Sequence, residues 1–248
     1  ENFMTITTRT LTTTAPDGTP LLSHIALPND TTKTGKARAI LVAPEWWGVA
    51  DHPKTVAERL AAEGFVAVAM DVYGEGKMTT DAHQANEWMS QMLEYSDELM
   101  NRCQAIYQDV ANLPEVDKER IGIAGFCFGG KIALDMARLG TPLKAVATFH
   151  GNPAPITPAT KQKFIAKVLV AHGAEDSMVS MQAIDDQKKE LEAADVQYQV
   201  DIYDGAKHGF SNPHADERAR DNGLDLGYHS QAAKESWAKM IVFMNDTL

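Results

Sequence analysis

The sequence predicts an α/β fold: a predominantly parallel twisted sheet with helices on both faces, preceded by an N-terminal antiparallel hairpin. Three observations carry this. Short β-rich runs alternate with helical patterns along most of the chain, which is the signature of strands joined by crossover helices. The first part of the chain instead holds two strand-like runs separated by a turn signal. And 248 residues with 44% hydrophobic and 23% charged side chains suffice to bury one large core without disulfides or metals.

Taken in order, Thr5 to Thr14 is threonine-rich with partial alternation, Asp17-Gly18 marks a turn, and Leu21 to Leu27 is apolar again. Together they read as a hairpin over about residues 4–28. The following β-runs are Ala39 to Ala43, Phe65 to Met70, Arg120 to Gly125, Lys144 to Phe149, Lys167 to Ala171 and Gln197 to Tyr203. One long helix is expected over Thr80 to Leu113, because Trp88, Met92, Tyr95, Leu99, Cys103, Ile106 and Val110 recur at spacings of three and four and form one apolar stripe. Asn212 to Gln231, rich in Asp and Arg, reads as a surface loop or short helix before a closing helix at about Ala232 to Thr247. The whole of residues 1–248 is expected to be a single domain.

The charge balance excludes several function classes. With 23 Lys+Arg against 34 Asp+Glu the formal net charge is −11, and no basic run exists to neutralise phosphates, so nucleic acid and anionic membranes are not expected partners. No stretch approaches the roughly 18 apolar residues of a membrane span. The start, Glu-Asn-Phe-Met, has neither a basic nor an apolar signal region. Met4 is then either a native start behind an added extension or a residue left after removal of a leader. Two cysteines, Cys103 and Cys127, suit a reducing compartment, and a cytoplasmic location is expected. Cys103 lies in the helical stripe and reads as a small core hydrophobe.

The segment Ile121-Gly-Ile-Ala-Gly-Phe-Cys-Phe-Gly-Gly130, followed by the helical pattern Lys131 to Arg138, places a reactive side chain at a strand-to-helix turn. G-x-C-x-G here is the cysteine form of the nucleophile elbow, in which Gly125 and Gly129 flank a strained residue whose sulfur projects above the sheet. The helix N-terminus favours a thiolate and offers the Phe128 N–H to an oxyanion. The same stretch satisfies G-x-x-x-x-G-K, but Ile132 stands where a nucleotide site needs Ser or Thr, and two Phe occupy the loop that should wrap phosphate. A cysteine merely buried in a tight glycine turn is the other alternative.

A cysteine nucleophile needs a base and the base an orienting group, in the chain order nucleophile, acid, histidine, each after a strand. The run Val168 to His172 leads into Asp176, and Tyr198 to Tyr203 leads into His208, which makes these the acid and the base. Glu175 is the alternative acid, Asp204 reads as a turn residue beside Gly205, and His150 and His172 end strands but fit the order poorly. No metal-ligand spacing is present and no metal or cofactor is expected. Upstream, Leu41 to Gly48 ends the first parallel strand where this architecture supplies a second oxyanion donor, here the Trp46 N–H. Glu45 in this loop reads either as a regulator of the nucleophile's charge or as a salt-bridged surface residue.

With Pro44-Glu45-Trp46-Trp47-Gly48, Asp71-Val72-Tyr73-Gly74, Gly125-Phe126-Cys127-Phe128-Gly129-Gly130, Gly173-Ala174-Glu175-Asp176 and His208-Gly209-Phe210, the chain resembles the dienelactone hydrolase (carboxymethylenebutenolidase) family from about residue 20 onward. The resemblance implies an α/β-hydrolase fold, lactone or ester hydrolysis and no cofactor. It implies a Cys127, His208 and Asp176 triad, Glu45 holding or activating the resting thiol, and an oxyanion hole of the Trp46 and Phe128 N–H groups. Trp47, Tyr73 and Lys77 are the substrate-binding candidates.

The sequence departs from the family pattern at two positions. The family has an Arg two residues after the D-x-Y tyrosine and another four after the catalytic histidine, both binding a substrate carboxylate. Here they read Glu75 and Asn212, with Lys77 the nearby substitute cation. A neutral ester or lactone is therefore the expected substrate, met by a monomer or weak homo-oligomer. A thioesterase or peptidase with the same triad, and a non-catalytic small-molecule binder, are the rival readings.

Overall fold

A computed structural model of the chain describes residues 5–29 and 35–248. Met4, at the edge of the expected hairpin, lies outside the described residues. Eight strands form a sheet in the order β1-β2-β4-β3-β5-β6-β7-β8, and seven helices are present among the described residues. The chain divides into two compact units, residues 1–123 and 124–248.

In the first unit β1 (Ile6–Thr14) and β2 (Pro20–Pro28) form the expected antiparallel hairpin, in register from Ile6 opposite Pro28 to Thr14 opposite Pro20. Asp17 accepts from Thr19 N at the tip, and Arg102 ties that tip down with a 3.0 Å ion pair to Asp17. β2 pairs antiparallel with β4 (Val66–Ala69), and β4 pairs parallel with β3 (Ala37–Ala43). Ile40 to Ala43 and Val66 to Ala69 are buried throughout, the continuous apolar pattern of parallel strands covered on both faces. Helix α1 (Asp51–Ala62) buries Val56, Ala57, Leu60 and Ala61, at helical spacing, against these strands.

The expected long helix is two helices. α2 (Ala82–Glu94) starts at Asp81, whose carboxylate accepts from His83 N, and α3 (Ser96–Ala111) follows after a break at Tyr95 with φ −105° and ψ 57°. Leu99, Cys103, Ile106 and Val110 are buried as the stripe predicted, but Tyr95 is 53% exposed. Asp97 and Glu98 in the first turn of α3 favour a fresh helix start there by facing its positive end. β5 (Val116–Phe126) runs across the division between the units.

In the second unit α4 (Phe128–Arg138) leaves the end of β5, and β6 (Ala145–Phe149), β7 (Lys167–Gly173) and β8 (Tyr198–Tyr203) pair in parallel. α5 (Met181–Ala193) connects β7 to β8, α6 (Ala215–Asn222) lies in the polar segment, and α7 (Ser230–Thr247) closes the chain against β6 and β7. Asp135, Arg138 and Glu190 form a buried charged group: Arg138 pairs with Asp135 at 2.9 Å and with Glu190 at 2.7 Å. No helix of the described residues is long and apolar enough to cross a membrane.

Candidate active site

Three strand ends of the second unit converge. β5 terminates at Phe126, and Cys127 takes φ 55° and ψ −117°, a left-handed conformation that only a tightly determined turn imposes on a non-glycine residue. Its N–H donates to Phe149 O at 2.9 Å, and Gly130 N donates to Cys127 O at 2.9 Å. Glycine is required around it because a Cβ on Gly125 would stand 2.1 Å from Gly129 O, and one on Gly130 2.8 Å from Gly151 Cα. Cys127 is the N-cap of α4 without a side-chain capping bond, so the sulfur is left for other work beside the positive helix end. Phe128 opens α4, making its N–H one of the helix's N-terminal donors.

The loops after β7 and β8 are pressed together. A Cβ on Gly173 would lie 2.3 Å from Ala206 O, while Ala174 N donates to Tyr203 O and Glu175 N to Ala206 O, each at 2.9 Å. This stitching brings Asp176 and His208 into contact: His208 Nδ1 lies 2.8 Å from Asp176 Oδ2, and His208 Nε2 lies 3.1 Å from Cys127 Sγ. Asp176 Oδ1 accepts from Met178 and Val179 N–H at 2.8 Å, which fixes the carboxylate before it meets the ring. Glu175 and Asp204, the alternatives weighed from sequence, are exposed.

His150, with φ 42°, holds its ring edge-on to His208 at 5.3 Å and to Phe210 at 5.2 Å, with Nε2 2.7 Å from Ser211 Oγ. His172 is buried and bonds Val179 O through Nε2 at 3.0 Å. It thus braces the turn that orients Asp176. Burial depresses the His172 ring below the ordinary histidine value, against the pull of Asp176.

Burial likewise opposes charge on His208, yet the electrostatic and hydrogen-bond interactions with Cys127 and Asp176 outweigh it and hold the ring well above the ordinary value. For Asp176, burial is overcome by the bond and charge of His208 and by the Val179 and Met178 N–H groups, which keep the carboxyl below its usual range. A raised histidine contributes stability that is complete below its unfolded value and is lost as pH rises through the folded one. The depressed Asp176 contributes above its unfolded value and loses that as pH falls through its folded one. We expect the His208 ring, followed by NMR, to remain protonated above the ordinary histidine midpoint in the wild type and to titrate lower in Cys127→Ala. An unchanged midpoint would show that the sulfur does not hold that proton.

In the first unit, Glu45 follows β3 and is paired with His52 at 3.1 Å, both side chains being buried. His52, which lies on α1, carries no motif in the sequence that marks it as a partner of Glu45. Trp46 and Trp47 meet edge-on at 5.2 Å, Tyr73 Oη donates to Trp46 O at 2.8 Å, and Trp47 and Tyr73 are buried. Thr79 N donates to Trp47 O at 2.9 Å, and a Cβ on Gly48 would meet Lys77 O at 2.2 Å, so the segment carrying Lys77 is bound to this loop. The Lys77 side chain and Glu75 (φ 59°) are exposed. Asn212, in the second unit, is buried and its Oδ1 accepts from His214 N at 2.8 Å, shaping the entry to α6. Among the described residues no group of three His, Cys, Asp or Glu is placed to hold a metal ion.

The dienelactone hydrolase family matches residues 24–248. A relative from Synechocystis sp., named "Putative carboxymethylenebutenolidase", is 29% identical over 96% of each chain. A solved dienelactone hydrolase-like promiscuous phosphotriesterase from metagenomic libraries is 30% identical, with TM-score 0.90 over 98% of each chain. A dienelactone hydrolase structure from Anabaena variabilis, 16% identical with TM-score 0.68 over 98% of this chain and 99% of that one, shares the fold. The chain belongs to the dienelactone hydrolase family, and its fold is that of the α/β hydrolases.

Proposed function

We propose that the protein hydrolyses a neutral lactone or short ester through a thioester on Cys127. The observation that carries this is His208 standing in hydrogen-bond reach of both Cys127 Sγ and Asp176. The thiolate attacks the carbonyl carbon, and the resulting oxyanion is taken by the Phe128 N–H and, by family likeness, the Trp46 N–H. On collapse His208 gives its Nε2 proton to the departing alkoxide, leaving a thioester. His208 then takes a proton from water as the water attacks, and returns it to the sulfur as the acid departs. Asp176 keeps the Nδ1 proton on the side away from the sulfur throughout. Family likeness assigns Glu45 to the resting thiol, and Trp47, Tyr73 and Lys77 to substrate. A monomer or weak homo-oligomer acting in the cytoplasm on a small molecule completes the reading; neither cysteine is in a disulfide.

Substrate charge follows from the two departures from the family pattern. A fixed cation about 4 Å from a carboxylate is worth on the order of 4 kcal/mol at an effective dielectric near 20, before desolvation. With Glu75 and Asn212 at the two Arg positions that gain is absent. A chromogenic neutral ester is expected to be turned over with higher kcat/KM than its carboxylated analogue, and Glu75→Arg to shift the ratio toward the acid at low salt. Protein blocked with iodoacetamide should turn over neither. Binding without turnover in the unblocked protein would favour the non-catalytic reading. A wild-type preference for the carboxylated ester would return the anchoring role to another cation, Lys77 first.

A further inference from the structure

Glu45, Trp46, Trp47 and Gly48 form a β-turn after β3: Gly48 N donates to Glu45 O at 3.2 Å, and Gly48 takes φ 82°. Such a turn is closed by its first carbonyl and its last N–H, and that bond uses neither central N–H. The central peptide, here the Trp46 carbonyl with the Trp47 N–H, is the unit whose rotation interconverts turn types I and II. A chain that needs one orientation has to hold that carbonyl.

Backbone donors serve the carbonyls on either side of it. Glu45 O is taken by the turn's own bond, Thr79 N donates to Trp47 O at 2.9 Å, and Ala50 N donates to Gly48 O at 2.8 Å. The central carbonyl is held by a side chain: Tyr73 Oη donates to Trp46 O at 2.8 Å.

Tyr73 is itself fixed at both ends. Arg102, buried on α3, donates through Nη1 to Val72 O at 3.0 Å and to Tyr73 O at 2.9 Å. Asp71, fully buried, accepts from the Leu22, Gly74 and Gly76 N–H groups at 2.8, 2.9 and 2.7 Å, which pins the chain on both sides of Tyr73. The Tyr73 ring stands 5.3 Å from that of Trp88 on α2, and the residue is 5% exposed. A tyrosine hydroxyl has one proton to donate. Here it goes to Trp46 O, so Tyr73 has none to give the substrate that family likeness assigns to it.

We propose that Tyr73 is a positioning residue: its hydroxyl locks the central peptide of the turn over residues 45–48 and thereby keeps the Trp46 N–H aimed at the oxyanion. This rests on the thioester reading above and deepens it. An oxyanion donor acts only when it points at the place where charge develops, and a misplacement of about 1 Å can cost on the order of 10²-fold in rate. Without the hydroxyl, the Trp46 carbonyl loses this partner and the turn is free to change type. The loss then falls on acylation and deacylation alike, since both pass through an oxyanion.

The test compares the full-length wild type with Tyr73→Phe, which removes one oxygen from a buried ring. For a neutral chromogenic ester kcat should fall about 3- to 30-fold, between the worth of one hydrogen bond and the outright loss of an oxyanion donor, with KM within about twofold. Alkylation of Cys127 by iodoacetamide, a displacement at saturated carbon that forms no oxyanion, should keep the wild-type rate. The ¹³C signal of the Trp46 carbonyl should move upfield, as for a carbonyl that loses a hydrogen bond. Placing 3-fluorotyrosine at position 73, a stronger donor, should move that signal downfield, and this comparison stands if Tyr73→Phe does not fold. Unchanged kcat, a rise in KM alone, equal slowing of hydrolysis and alkylation, or an unmoved Trp46 carbonyl signal overturns the proposal. Should the wild type hydrolyse the ester equally well with Cys127 blocked, the thioester reading fails by itself, and the carbonyl signal still decides whether Tyr73 holds the turn.

Discussion

Cys127→Ala is expected to lower kcat for a neutral short-chain ester by at least about 10³-fold, because the covalent route disappears and only oxyanion donation and binding remain. The loss should come without unfolding. The Cys127 side chain makes no capping bond to α4, and alanine meets the same backbone demand at φ 55° that cysteine already meets. Steady-state kinetics beside thermal denaturation separates the two effects. A variant retaining more than about a tenth of wild-type kcat at unchanged stability would remove Cys127 from the chemistry.

His208→Ala should cost at least about 10²-fold in kcat, the lower end of general acid–base contributions. In the proposed route it removes the group that both protonates the leaving oxygen and activates water. His150 and His172 provide the internal comparison. His150 meets His208 ring-to-edge, and His172 bonds the Val179 turn that holds Asp176. Their alanine variants should therefore be less damaging than His208→Ala in kcat at fixed pH. If either proved the more damaging, with the fold intact by circular dichroism, the base would have to be reassigned.

The elements that position this site were legible where local chemistry dictates them. A Thr-rich run, a turn signal and an apolar run become β1 and β2 because the hairpin needs only neighbours in sequence. The glycines around Cys127 announce the elbow because backbone approaches backbone there, as the 2.1 Å Cβ position at Gly125 makes plain. The chain order of Asp176 and His208 rests on strand ends that apolar β-runs mark in sequence. The break at Tyr95 was hidden, since the same apolar stripe continues on both sides and neither Pro nor Gly intervenes. Its faint trace was the Ser96-Asp97-Glu98 start.

Two other features lay beyond local pattern. The pairing of Arg138 with Glu190 joins residues 52 apart, and no periodicity reveals which distant carboxylate will neutralise a buried guanidinium. His52 looked unremarkable by motif, and its role beside Glu45 emerges only when α1 turns it back toward the end of β3. Asn212 shows the converse: its place after His208 suggested a position facing substrate, whereas its Oδ1 accepts from His214 N and shapes the start of α6.

The central claim, acyl transfer through Cys127, is tested most directly by trapping the intermediate. Protein mixed with a slowly hydrolysed neutral ester, quenched in acid within the first turnover and digested, should yield a peptide containing Cys127 that carries the mass of the acyl group. The adduct should be released by neutral hydroxylamine, as a thioester is, and be absent from Cys127→Ala. Turnover accompanied by an acyl adduct on another residue, with Cys127 unmodified, would contradict the account.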